Sequence, residues 1–269
     1  MILLFLLTGC ASKNEDLIKA AAEGDKTKVE SLLAKGADVN AKSKDGSTAL
    51  MTSSTGGHRE IVKFLLAKGS EVNATTHDGL TALMYASLRG NTEIVKLLLA
   101  GGADVNARDK DDTTALKDAS VNGHIEIVKL LLAKGADVNA RGKYGDTALM
   151  WASRIGQTEI VKLLLEKNAD INARDNEGGT ALILAIYKGR TEMAELILAK
   201  KGADANVKNY YAWTAMILSS SYKSTETVKL LLKKGADVNA KDHDGITALM
   251  YAVGNTEIVK LLKAAGAKE

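Results

Sequence analysis

The phrase Thr-Ala-Leu returns every 33 residues along most of the chain, at residues 48–50, 81–83, 114–116, 147–149 and 180–182. After one step of 34 it appears as Thr214-Ala215-Met216, and then again as Thr247-Ala248-Leu249. A fixed period of this size specifies a stack of like supersecondary units, each burying its apolar face on its neighbours, rather than one closed core.

Each internal unit carries its own start and stop signals. In Asp78–Gly90, Thr81 is placed to cap a first helix with its hydroxyl, Leu83, Ala86 and Ser87 share one helical face, and Gly90 ends the helix. Glu93–Ala100 then reads as a second helix with apolar residues at i, i+3 and i+4, stopped by Gly102. Ala103-Asp104-Val105-Asn106 leads into a turn that carries the next Asp or Gly.

Helix, tight turn, helix and projecting loop in 33 residues resemble the ankyrin repeat. Its Gly-Ala-Asp-Val-Asn stands at 36–40, 102–106, 135–139 and 235–239, with variants at 69–73, 168–172 and 202–206. The family's Thr-Pro-Leu-His has become Thr-Ala-Leu-Met or a relative, which loses a preset φ but keeps a good helix former. The resemblance covers Leu17–Ala267 and implies an all-α repeat solenoid of eight units, each an α-hairpin with a β-hairpin loop. The units fall near 17–44, 45–77, 78–110, 111–143, 144–176, 177–210, 211–243 and 244–269. Ser31 and Lys263 replace the apolar residues of the internal second helices, as polar outer faces of terminal repeats require.

Ahead of the repeats, the apolar run Met1–Leu7 and Leu7-Thr8-Gly9-Cys10 resemble a bacterial lipobox, with residues 1–9 as signal peptide and 10–16 as lipidated terminus and polar spacer. The resemblance implies diacylglycerol on the Cys10 thiol and an acylated new amino terminus. Two chains or more anchor stably, at about 0.8 kcal/mol per buried CH₂. Ala11-Ser12 resembles outer-membrane sorting, so the expected location is the bacterial envelope, periplasm-facing, with a soluble cytoplasmic scaffold or effector as the alternative. No Lys or Arg precedes the run, as an export signal requires; a true start upstream of Met1 would supply one. Cys10 is the single cysteine, so no intramolecular disulfide forms.

The net charge of +3, from 36 basic and 33 acidic residues spread evenly, gives no stripe for nucleic acid. His58 and His124 fall at the Gly-His step between paired helices, where the resemblance implies backbone hydrogen bonding. His77 and His243 sit at loop tips in different repeats, so no metal site is expected. Asp242-His243-Asp244-Gly245 opens like a calcium loop but lacks its closing Glu, with Tyr251 there instead. No nucleophile elbow, phosphate loop or catalytic carboxylate pair is present, so neither an enzyme nor a cofactor is expected. The repeated Glu-x-x-Lys pairs, such as Glu93/Lys96, read as a charged outer surface.

The aromatic residues point furthest toward function. Tyr144, Trp151, Tyr187, Tyr210, Tyr211, Trp213 and Tyr222 lie in loop tips or first helices, which in the ankyrin fold line the concave groove. Such residues anchor protein partners by burying large area at low entropic cost. Tyr210-Tyr211-Ala212-Trp213 replaces a polar tip and its glycine. Lys143 and Lys208, with Lys188 and Lys223, intersperse them as steering charges, which suit a partner with some acidic surface. The competing reading has Trp151 and Tyr187 covering a neighbouring helix and Trp213 packed on the adjacent tip. The expectation is a monomeric module that binds a protein partner through this surface, without a small-molecule substrate.

Overall fold

The computed structural model describes the backbone of residues 2–268 and the side chains of residues 13–268. The signal, the lipobox and Cys10 lie outside the residues whose side chains are described. Among the described residues the chain forms 16 helices and no strands, in two compact units, Met1–Asp137 and Val138–Glu269. No helix is long and apolar enough to cross a membrane among the described residues.

The first unit holds α1 (Ile2–Glu23) with α2 (Lys26–Ala34), α3 (Ala49–Gly56) with α4 (Arg59–Ala67), α5 (Ala82–Arg89) with α6 (Thr92–Ala100), and α7 (Ala115–Val121) with α8 (Ile125–Ala133). The second holds α9 (Ala148–Ile155) with α10 (Thr158–Glu166), α11 (Ala181–Tyr187) with α12 (Thr191–Ala199), α13 (Ala215–Ser221) with α14 (Thr225–Lys233), and α15 (Ala248–Tyr251) with α16 (Thr256–Ala264). Within each unit, a first helix packs on the next first helix and on its own second helix, so every unit is a stack of hairpins. The two residues missing from the last repeat leave α15 with four residues.

The repeated phrase works as a helix start. Thr48, Thr81 and Thr114 in the first unit, and Thr147, Thr180, Thr214 and Thr247 in the second, have extended backbones. Each hydroxyl accepts the N–H three residues on, satisfying a donor the helix cannot. The alanine and leucine that follow (methionine after Thr214) are buried, as are Ile94, Val95 and Leu98 of a second helix.

Gly-His steps lock neighbouring repeats in the first unit. Gly24 and Gly90 have φ of +78° and +76°, and a Cβ on either would stand 2.6 Å from the ring of His58 or His124. Each ring then donates from Nε2 to the previous first helix, His58 to Ala22 O at 3.0 Å and His124 to Leu88 O at 3.2 Å. The backbone role expected for both histidines is what the structure shows.

The loops carry a second lock, built on asparagine. Asn73 accepts from Asp104 N–H at 2.8 Å and donates to Gly102 O at 3.1 Å; Asn106 does the same with Asp137 N–H and Gly135 O. In the second unit, Asn172 pairs likewise with Asp204 and Gly202, and Asn239 with Lys268 and Gly266. Asn14, within α1, starts this series by accepting from Asp38 N–H at 2.9 Å, so it is tied to the first repeat. Successive loop tips join by single backbone bonds, such as His77 N–H to Asp45 O, rather than by strand pairing.

On the outer face, Glu93/Lys96, Glu126/Lys129, Glu159/Lys162 and Glu226/Lys229 pair as spaced. Glu60 pairs with Arg59, and Glu257 reaches across to Lys229. These pairs are exposed and screened by water, which suits solubility more than stability.

Candidate functional site

The second unit contains a groove of ≈ 590 Å³, formed by loop tips on one side and the C-terminal ends of first helices on the other. Tyr211 and Trp213 come from the tip before α13, Tyr187 from the last residue of α11, and Tyr222 caps the end of α13. Four of the aromatic positions expected from the sequence are thereby brought together.

The rings form pairs. Tyr187 meets Tyr222 edge-on, with centroids 6.0 Å apart, and Trp213 lies against Tyr251 at 5.3 Å. Tyr210 stands edge-on to Tyr211 at 5.7 Å and to His243 at 6.5 Å. Even so paired, Tyr210 and Tyr211 remain 70% and 60% exposed, so the pairing does not bury them. Burial, with the nearby Tyr187, pushes the Tyr222 hydroxyl above its ordinary pKa.

The tip that presents them is costly to fold. Ala212 has φ +58°, in the left-handed region that glycine occupies at Gly178 and Gly245 in the neighbouring tips. A side chain there costs on the order of 1 kcal/mol. Asn209 offsets part of this by accepting the N–H groups of Tyr211 and Trp213, both at 3.0 Å. Backbone strain and exposed rings at one tip are not what stability alone would select.

The electrostatic lining is acidic. Asp175, Glu177 and Asp244 line the groove, and among the described residues no Lys or Arg does. Asp175 also stabilises its own tip, accepting from Glu177 and Gly179 N–H. Asp242, just outside, is buried, which works against its charge; bonds from Ile246 N–H, the Tyr251 hydroxyl and Asp244 N–H nevertheless hold its carboxyl below the ordinary range. The calcium-like opening at 242–245 is therefore a self-capped turn. Among the described residues no cluster of three or more His, Cys, Asp or Glu could hold a metal ion.

The remaining expected residues stand elsewhere. Tyr144 is 69% exposed at an earlier tip, joined by its carbonyl to Asn176 N–H. Trp151 is half-buried, donating from Nε1 to the buried Asp146 and lying 5.0 Å from the Arg154 guanidinium. Lys208 is held along the flank of the tips, donating to Lys241 O at 3.1 Å, as Arg174 does to Lys208 O. The Lys143 carbonyl accepts from Asn176. Lys188 lies 5.1 Å from the Tyr187 ring centroid, and Lys223 caps the turn after α13 with φ +56°.

Sequence reasoning passed over Tyr251 and the acidic lining. Tyr251 was legible, since it holds the place in its repeat that Trp151 holds in Thr147-Ala148-Leu149-Met150-Trp151. The carboxylates come from two tips separated by more than sixty residues, and only folding puts them on one groove.

Comparison with known proteins agrees with the repeat fold. The family model described as ankyrin repeats (3 copies) matches residues 17–109, 56–142, 116–209 and 201–268. No curated protein matches the chain.

Proposed function

The chain belongs to the ankyrin-repeat family, whose members are generally protein–protein interaction modules on a typically non-enzymatic scaffold, and from that premise we propose that the second unit docks a protein partner in its aromatic groove. The observation that carries this reading is the strained tip 209–213, which keeps Tyr210 and Tyr211 exposed and turns Tyr211 and the half-buried Trp213 into the groove. Tyr and Trp held by neighbouring rings lose little freedom on contact, so their buried area converts efficiently into affinity. Trp213 is the central anchor, because it is packed on Tyr251 before any partner arrives.

A photo-reactive group at Tyr211 in living cells should capture one protein, and Trp213→Ala should weaken binding of that protein by about 2 kcal/mol with helical circular dichroism unchanged. Equal affinity of the variant and the parent would remove this site. For the chain's location we propose a lipid anchor on Cys10 in a bacterial envelope membrane, supported by the lipobox-like Leu7–Cys10. Labelled palmitate incorporated by the parent and not by Cys10→Ala tests it, and absence of label would favour the soluble scaffold.

A further inference from the structure

The groove's charge runs against the charge of the chain as a whole. The protein carries a net +3 and many lysines on its tips, yet the groove presents the carboxylates of Asp175, Glu177 and Asp244, without Lys or Arg among its described lining residues. The same space is walled by electron-rich rings: Tyr187, Tyr211, Trp213, Tyr222 and Tyr251. Tyrosine and tryptophan faces attract cations through their quadrupole, most strongly for tryptophan, and an arginine can also lie flat on such a ring.

The protein's own side chains already show this preference. The Lys188 ammonium rests 5.1 Å from the Tyr187 centroid at the edge of the groove, and the Arg154 guanidinium 5.0 Å from Trp151. The basic residues nearest the tips are meanwhile led away from the groove. Arg174 and Lys208 are strapped along the flank to carbonyls of the following tip. What remains in the groove is a combination of carboxylates and ring faces that suits a positive charge on a flat, partly apolar group.

Resting on the docking reading above, we propose that the partner enters this groove with a basic segment, and that arginine side chains of that segment lie among the Tyr and Trp rings with their charges toward Glu177 and Asp244. Attraction by carboxylates at the mouth would steer the segment in, and the rings would hold the guanidinium plane.

The experiment uses the full chain carrying Trp151→Phe, so that tryptophan emission comes from Trp213 alone. A six-arginine peptide is titrated at about 50 mM and about 300 mM salt, with a six-glutamate peptide as the counterpart. The arginine peptide should change Trp213 emission saturably, and more weakly at the higher salt. Glu177→Gln combined with Asp244→Asn should weaken it at least tenfold. Neither of those side chains caps its own tip, so the variant tests charge and not folding, which circular dichroism checks. The proposal is overturned if the glutamate peptide binds as well, if the double variant binds the arginine peptide as the parent does, or if neither peptide alters the emission. Cellular capture at Tyr211 alongside any of those results would leave the docking reading standing and sink only the cationic segment. Arginine binding without cellular capture would count against the docking reading and against the partner segment that rests on it, leaving only the groove's affinity for a cationic group. Because the chain is itself net positive, general adhesion of a polycation is disfavoured, and a positive result reports the groove.

Discussion

Asp118 occupies the place in α7 that Tyr85, Trp151 and Tyr251 occupy in other repeats. Burial there, reinforced by the like charge of Asp109 and partly opposed by Lys117, raises its carboxyl to about 7. The folded state thus holds this proton more tightly than the unfolded chain, whose carboxyl titrates near 3.8. The stability linked to Asp118 is complete below the lower value, falls as pH climbs between the two, and is fully lost above about 7. Asp118→Asn should therefore stabilise the protein by about 2 kcal/mol at a pH near 8, the full displacement being discounted for water at its edge, and by almost nothing near 4. Urea denaturation of both proteins at the two pH values checks this, and an equal difference at both would refute it. At this scale much is legible from the residues themselves. Thr81 and Gly90 do locally what their chemistry says, whereas the Asp118 carboxyl depends on what folds around it.

The helical hairpin is the element on which the rest is built, and its boundaries were readable because cap, stop and apolar stripe fall within one unit. The asparagine lock was less visible, because its partners lie about thirty residues away. Asn106 serves two orphan groups of the next turn at once, one as acceptor and one as donor. Asn106→Ala should cost about 1–2 kcal/mol by leaving both to water, and Asn106→Asp, which keeps the acceptor alone, should fall between. Thermal melts of the three proteins decide the order. A loss no larger than that of a surface substitution would show that water replaces the lock freely. Asn14 illustrates why the series was not read to its start: it sits among polar residues ahead of the first recognisable repeat, and only its bond to Asp38 discloses its role.

At the scale of the whole molecule, contacts within each unit link a hairpin to its immediate neighbours, so within either unit stability is close to a sum of local terms. This is why the period alone sufficed to state the fold, and why the groove was only half legible. Tyr187, Tyr211, Trp213 and Tyr222 stand out in the sequence as departures from the repeat. The sign of the charge among them does not, since Lys188, Lys208 and Lys223 are near in sequence while Glu177 and Asp244 are near in space.

The single step of 34 residues bears on how such a chain tolerates change. At that step α12 ends with Lys200 extended, ψ 141°, where Lys167 and Lys234 have ψ of 20° and 6° after α10 and α14. Yet Asn172 still reaches Gly202 and Asp204, so the surplus residue is absorbed before the lock and propagates no further. The bend after each second helix is in effect a slack seam, and the loop tip a taut one. A Gly-Ser-Gly insert between Lys200 and Lys201 should shift the melting temperature by only a degree or two, whereas the same insert between Gly178 and Gly179, which would pull the Gly179 N–H off Asp175, should lower it several-fold more. Scanning calorimetry of the two inserts tells them apart, and the seam that yields is where an epitope or fluorescent reporter can be stitched in without disturbing its neighbours.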